Sequence, residues 1–496
     1  VAIASLTNTA AAEIRARTKL TDRSMVEVGT LHKLCMNAIG IGQEQLVVNY
    51  LDEWAEEAKR LRHPEWRLTE EAKPDTRGDR FLQAANLARD QRLPRAKWVP
   101  LVGLREFFDA YTAWKRAHEI LDFHDCIEQT VETGALPLVG GHKPDTVCID
   151  EVQDSSPLEL YLVREVWAPK IERVILAGDP DQCIFSGIRA IDPRMFMDYP
   201  AAGSHLLEQS YRIPRSVHRW AQRTIRQIRE RVDVNYHPRD AEGEVRRASE
   251  ITSRYPDPIL RHLDTWLGEG TVMVLAATEF PLFPLLKLLR QRGIPFANPW
   301  APKRGDWNPL VLKRKDAVTT VSQLLAFLDG WESWTPDAIR LWLGLLQSTG
   351  LLVRGAKSDP KVSSPWTFAE LRALFLQESD FDRALDRDVA WLLEHSTKAR
   401  RKTLEFALRV YEKRGREALE TPPQLFVGTA HSLKGSEADT VVVFPDLTPA
   451  MWEASMKQKA RDTQTRTFYV SMTRAKHRLV LAGPSSRRQF EFRAPA

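Results

Sequence analysis

The chain has 496 residues, 43% hydrophobic and 28% charged, with a net charge of +5, which suggests about three domains of ordinary globular composition and singles out no partner by charge alone. Cys35, Cys126, Cys148 and Cys183 have no C-x-x-C spacing, so neither a zinc knuckle nor a disulfide framework is indicated. No apolar run reaches membrane-spanning length and no basic segment followed by an apolar one opens the chain, so a reducing cytoplasmic setting is expected.

Residues 1–5 read as a core strand and 10–19 as a helix capped by Thr7, Asn8 and Thr9. Val1 is not an initiator methionine, and a chain that opens inside a domain is expected to have lost what preceded it. Residues 25–34 carry a second strand and turn, followed by a helix to about Ile39. Residues 44–120 shift to Ala, Leu, Glu, Arg and Trp, with breakers at Pro64, Pro74, Gly78, Pro94 and Pro100, which predicts a helical insertion.

The reading turns on residues 145–154, Asp-Thr-Val-Cys-Ile-Asp-Glu-Val-Gln-Asp. An apolar, β-branched run fit for a buried parallel strand stops there at a cluster of acids and an amide. Open α/β sheets hold ligands at the carboxyl ends of their strands. Asp150 is then placed to hold Mg²⁺, with Glu151 beside whatever the metal polarises. An isolated Asp-Glu pair is more often a solvated acidic turn, and here the neighbouring signals decide. A second strand, 173–177, ends in Gly178-Asp179-Pro180-Asp181-Gln182. Repeated strand and helix units of this kind predict α/β architecture.

Beyond Glu208-Gln209-Ser210-Tyr211-Arg212, a helix is expected over 214–232, with Val217, Ala221, Ile225, Ile228 and Val232 on one face. Seven arginines between Arg212 and Arg231 fit either a solvated basic face or a phosphate-facing one. Residues 272–276 form another buried strand, followed by a helix over 281–291. Residues 300–420 are helical and rich in Trp and Leu, with no chemistry to name, and the basic run 398–402 reads as solvated surface. Strands return at 425–428 and 440–444, with residues 429–437 between them. The last unit, 467–481, carries Tyr469 to Lys476, places Arg474 at the start of a cationic helix and ends in a strand over 479–481.

In this order the signals resemble the UvrD, Rep and PcrA group of superfamily 1 DNA helicases. Residues 6–13 are similar to motif Ia of that group, Val28-Gly29-Thr30-Leu31-His32 to motif Ib, Asp150-Glu151-Val152-Gln153-Asp154 to motif II, and 178–182 to motif III. Gln209-Ser210-Tyr211-Arg212 is similar to motif IV, 429–437 to motif V and 469–476 to motif VI. The resemblance implies two RecA-like parallel-sheet domains of the P-loop NTPase type, each with a mainly helical insertion. The expected first core spans 1–43 and 121–205, with its insertion at 44–120. The expected second core spans 206–300 and 421–496, with its insertion at 301–420.

It also implies roles. Asp150 binds Mg²⁺, Glu151 orients and deprotonates the attacking water, and Gln182 senses the γ-phosphate of ATP. Arg212 and Arg474 stabilise charge on the transferring group, a task for a planar, permanently charged guanidinium. Tyr211 stacks on adenine, and Gly435 and Glu437 lie at the nucleotide, with Glu437 accepting from the ribose. Thr7, Asn8, Thr30, His32, His431 and Ser432 contact the phosphates and sugars of single-stranded DNA, and Phe185 stacks on a base. The implied partners are single-stranded DNA and its junctions with duplex, and the implied direction is 3′ to 5′. The expected setting is the cytoplasm of a bacterial or phage-infected cell.

The G-x-x-x-x-G-K-[ST] loop occurs nowhere in the 496 residues. Without its backbone cradle and lysine the chain is expected to bind ATP poorly and hydrolyse it hardly at all, with truncation as the expected origin. Leu6 stands where an aromatic is usual, and Gly187 where a second stacking tryptophan is usual. The rival reading is a catalytically silent DNA-binding scaffold derived from a helicase, which has no use for Asp150, Glu151, Gln182, Arg212 and Arg474 together. A nuclease is weaker still, since no further acidic cluster follows the last motif.

Overall fold

The computed structural model describes residues 1–5, 8–17, 25–69, 75–186, 191–232, 234–299, 301, 304–311, 318–358 and 360–495. They form two compact units. The first comprises Val1–Glu208, Ile225–Tyr236 and Ser455–Tyr469, and the second Gln209–Thr224, His237–Ala454 and Val470–Ala496. Among the described residues no helix is long and apolar enough to cross a membrane.

The sheet of the first unit contains β1 (Ala2–Ser5), β2 (Glu27–Thr30), β3 (Thr146–Ile149) and β4 (Arg173–Leu176), in the order β2-β1-β3-β4. All neighbours are parallel, so the four carboxyl ends share one edge. Ala2, Ala4, Val147 and Ile149 are buried in its core, whereas β4, with a neighbour on one side only among the described residues, leaves Ile175 exposed. Thr30 ends β2 and caps the helix Leu31–Ile39 by accepting from the Lys33 amide at 3.3 Å. Leu31, Leu34, Cys35 and Met36 form the buried stripe of that helix, and Gly40 ends it in the left-handed region, φ 72°.

Between β2 and β3 the helices Leu51–Arg60, Arg77–Asp90 and Leu104–Ala117 build a core of their own. Trp54 is its centre, with the rings of Phe107, Tyr111 and Trp114 at 5.9, 5.3 and 5.2 Å. Gly78 proves to be no breaker. It lies in the first turn of Arg77–Asp90, where a Cβ would come within 2.2 Å of the Trp66 carbonyl oxygen.

The second sheet contains β5 (Glu244–Thr252), β6 (Val272–Ala276), β7 (Leu425–Thr429), β8 (Ala438–Val443) and β9 (Ala475–Gly483), all parallel in the order β5-β9-β8-β6-β7. Every residue of β6 is buried, as a continuous apolar run in a covered parallel sheet should be. The helices Thr320–Leu328, Pro336–Leu343 and Lys398–Arg414 add their apolar faces to the same core as this sheet.

Three further expectations need correction. The helix after motif IV is Arg215–Ile225 and does not reach Val232. Ile228 closes a tight turn on the Ile225 carbonyl, Val232 is exposed, and Arg231 turns inward to an acid of the first unit. Arg474 does not open a cationic helix: it lies between the helix Gln458–Met472 and β9. The final strand begins at Ala475, because its charged half pairs with β5 and β8 and Arg478 finds Glu244 and Glu269.

Candidate functional site

In the first unit the carboxyl edge of the sheet gathers the polar residues. The Asp150 amide donates to the Ala4 carbonyl at 2.8 Å, extending the β3 ladder by one residue, and the Ser5 hydroxyl donates to Asp150 Oδ2 at 3.5 Å. Glu151 adopts the left-handed conformation, φ 55° and ψ 36°. For a non-glycine residue that costs roughly 1–2 kcal/mol, a strain that concentrates at functional sites.

The connector at this edge is Gln153, 1% exposed. Its Nε2 donates to Glu151 Oε2 at 2.5 Å and to Asp154 Oδ2 at 3.4 Å, while its Oε1 accepts the Asp179 amide at 3.0 Å. Two carboxylate acceptors on one side and an N–H donor on the other fix the orientation of the amide. Gly178 makes the approach possible, since a Cβ there would lie 2.5 Å from Gln153 Oε1.

Asp179 in turn organises the loop that follows β4. Its Oδ1 accepts the Asp181 amide at 2.9 Å and its Oδ2 accepts Gln182 Nε2 at 2.9 Å. Desolvation, and after it the like charge of Asp181, push the Asp179 carboxyl above its ordinary range, against the pull of those hydrogen bonds. Glu151 and Gln182 are thus brought to one edge, beside Asp150 at the end of β3, through Gln153 and Asp179, neither of which was evident as a connector from the sequence. The signal for Gln153 lay inside the motif itself: an amide between acids can donate to a carboxylate and accept an amide at once.

Thr30 ends β2 and His32 lies two residues beyond it at this same edge, and the His32 ring meets Phe123 edge-on at 5.3 Å. Phe185 is half-buried at the far end of the loop 178–186, next to Ser186, whose hydroxyl bonds that of Thr463 at 2.8 Å. Thr7, Leu6, Gly187 and the Asn8 side chain lie outside the described residues.

In the second unit the expected residues divide between the two edges of the sheet. Arg212, Glu437 and Arg474 cluster at the amino ends of β8 and β9. Arg212 Nε donates to Glu437 Oε2 at 2.6 Å, both side chains being partly exposed. The Ser210 hydroxyl accepts the Arg212 and Ile213 amides at 3.2 and 3.1 Å, which shapes the turn and leaves Tyr211 87% exposed. Arg474 is buried and donates to the Val470 carbonyl at 3.0 Å, to Thr473 Oγ1 at 3.1 Å and to the Ser436 carbonyl at 3.4 Å, so it ties the last motif to the residue before Glu437. Gly435 has φ 86° in the same turn.

His431 and Ser432 follow β7 at the opposite, carboxyl edge. The Ser432 hydroxyl accepts from the Thr429 amide at 3.0 Å and from Asn298 Nδ2 at 3.1 Å, and donates to the Thr429 carbonyl at 3.1 Å. Its single proton is therefore used inside the turn. Asn298, buried at 2% exposure, is a further residue the sequence did not flag.

Among the described residues no three His, Cys, Asp or Glu side chains converge as a metal cage. Mg²⁺ is commonly held by one or two carboxylates together with substrate phosphates and water. The oxygen of Asp150, with the Ser5 hydroxyl beside it, is a donor set of the right hardness.

Comparison with known proteins gives the same order of parts. A sequence model of the UvrD/REP helicase N-terminal domain matches residues 1–198, and one of the UvrD-like helicase C-terminal domain matches residues 388–485. The ATP-dependent DNA helicase PcrA of Staphylococcus aureus strains COL and Mu50 is 29% identical over 145 residues, 28% of this chain. The match spans only 20% of that relative's length. With two parallel α/β sheets carrying these motifs in order, the chain belongs to the UvrD/Rep/PcrA-like family of superfamily 1 helicases.

Proposed function

We propose that the chain belongs to an ATP-dependent motor that moves along single-stranded DNA. The observation that carries this reading is the linked set Glu151, Gln153, Asp179 and Gln182 at the strand ends of the first unit. Gln153 holds one oxygen of Glu151 and so fixes the direction of the other, which is what a general base needs before it can orient a water. Asp150 would hold Mg²⁺, which supplies charge neutralisation on the phosphates. Gln182, held by Asp179, would read the terminal phosphate.

Arg212 and Arg474 would supply the transition-state charge, with Tyr211, Gly435 and Glu437 at the base and sugar. The partly exposed pair of Arg212 with Glu437 is worth about 1 kcal/mol or less, so phosphate can displace the carboxylate at little cost. Thr7, Asn8, Thr30, His32, Phe185 and His431 would line the DNA path, with Ser432 shaping the turn beneath it. Movement toward the 5′ end of the bound strand follows the family pattern.

ATP turnover also needs the phosphate cradle that the 496 residues do not contain. Extended ahead of Val1 by a segment carrying G-x-x-x-x-G-K-[ST], the protein should hydrolyse ATP in response to single-stranded DNA. Glu151→Gln should then lower turnover by about 1,000-fold or more while nucleotide binding persists. Undiminished turnover in that variant removes Glu151 from the role. DNA binding without any turnover in the extended wild type favours the silent scaffold instead.

A further inference from the structure

The loop after β4 is gripped from outside by a residue no motif contains. Arg231 meets Asp181 side-on, Nη2 to Oδ2 at 2.7 Å and Nε to Oδ2 and Oδ1 at 3.2 and 3.3 Å, with the two side chains only 7% and 10% exposed. A second contact lies beside it, Arg466 Nε on the Pro180 carbonyl at 3.1 Å. Arg231 belongs to Ile225–Tyr236, a segment of the first unit whose chain neighbours on both sides belong to the second. Taking a guanidinium and a carboxylate out of water is costly, and a buried pair is better explained by the one geometry it enforces than by the stability it adds. The two-point fork of arginine fixes direction as well as distance, and lysine could not do that.

Resting on the DNA-motor reading above, we infer that Arg231 is the positioning residue for this loop: through Asp181 it sets the place of Gln182 on one side and of Phe185 on the other. Asp181 is the hinge point of that grip. Its amide is held by Asp179, its carboxylate by Arg231, and Gln182 is the next residue. A rotation of Arg231 would therefore be felt at the phosphate-sensing amide and at the base-stacking ring alike.

The test uses the 496-residue chain, hydrogen exchange and binding of a fluorescent single-stranded oligonucleotide. Arg231→Gln breaks the fork, and the paired Arg231→Gln with Asp181→Asn removes both charges, so it reports even where the single variant fails to fold. In either variant the Asp181, Gln182 and Cys183 amides should exchange about tenfold faster relative to those of β3, and affinity for the oligonucleotide should fall about fivefold or more. In a Phe185→Ala background that loss of affinity should vanish, because Arg231 acts through the ring. Arg231→Lys should recover part of both effects. Unchanged loop exchange in the paired variant, or a loss of affinity that persists in full without Phe185, overturns the inference. Equal oligonucleotide affinity of wild type and Phe185→Ala, with the loop still loosened by Arg231→Gln, instead removes the DNA role of Phe185 and leaves the grip itself standing.

Discussion

Gly178 shows how little room the site leaves at the level of one atom. Its neighbours are Gln153 Oε1 at 2.5 Å and Val152 Cγ1 at 2.9 Å from the place a Cβ would occupy, and both belong to the turn that carries Glu151. Gly178→Ala must push Gln153 away from the Asp179 amide, so it combines overpacking with a broken buried hydrogen bond. The expected loss is about 1–3 kcal/mol in the first unit, read as an earlier urea midpoint. A midpoint equal to wild type would mean that the turn gives way freely and that Gln153 is no connector. Ser432 teaches the converse lesson. A serine after a strand end can face a phosphate or staple its own turn, and nothing in Thr429-Ala430-His431-Ser432 distinguishes the two. The choice is made by Asn298, far away in sequence, which donates to the hydroxyl and leaves its proton for the Thr429 carbonyl.

Among the helices, the join between the Trp54 core and the first sheet rests on charge. Arg89 reaches Asp122, Asp125 and Glu128 at 3.1, 2.7 and 2.7 Å, and Lys115 reaches Asp122 at 2.6 Å and also Asp125. Burial alone would raise the Asp122 pKa, but the charges of Lys115 and Arg89 overcome it and hold the carboxyl well below the usual range. A depressed carboxyl stabilises the fold above its unfolded value, 3.8, and loses that contribution as pH falls below it toward the folded value. Asp122 also caps the helix Phe123–Thr133 in a reciprocal box with Asp125. Asp122→Ala should therefore cost about 3–5 kcal/mol at neutral pH, because Arg89 and Lys115 are left buried with less than their share of negative charge. In urea unfolding the variant should also show a flatter loss of stability on acidification than wild type, and parallel curves would assign the acid sensitivity elsewhere. The periodicity of residues 44–120 announced helices here, while the partners across the join could not be read, since a buried Arg89 looks like any surface arginine in a helix. The same limit explains the missed β5. Glu-Val-Arg-Arg-Ala-Ser-Glu-Ile-Thr has no apolar run, and it is a strand because its edge position asks only Ala248 and Ile251 to be fully buried.

At the level of the whole molecule, the covered strands β3 and β6 were legible as continuous apolar runs, and the order of the polar clusters after the strands pointed to the family. How those clusters interlock was not legible, because the Gln153–Asp179 and Arg231–Asp181 contacts join residues 26 and 50 apart in sequence. The charge pattern carries a consequence for DNA binding. The groups expected along the strand are hydroxyl, amide, imidazole and aromatic, and four of the seven arginines from Arg212 to Arg231 already face acids. Arg212 is paired with Glu437, Arg215 with Asp240, Arg219 with Glu242 and Arg231 with Asp181. Each phosphate neutralised on a single strand contributes about 0.7 to the slope of log affinity against log salt. Neutral donors release few counterions, so the slope for a single-stranded oligonucleotide should be shallow, about 2 or less in magnitude, with little change across base sequences. Titrations over a range of salt concentrations measure it directly. A slope of about 4 or steeper would require several Lys or Arg side chains on the phosphates, and the DNA path would then have to be redrawn along a basic surface instead of the strand-end residues Thr30, His32, Phe185 and His431.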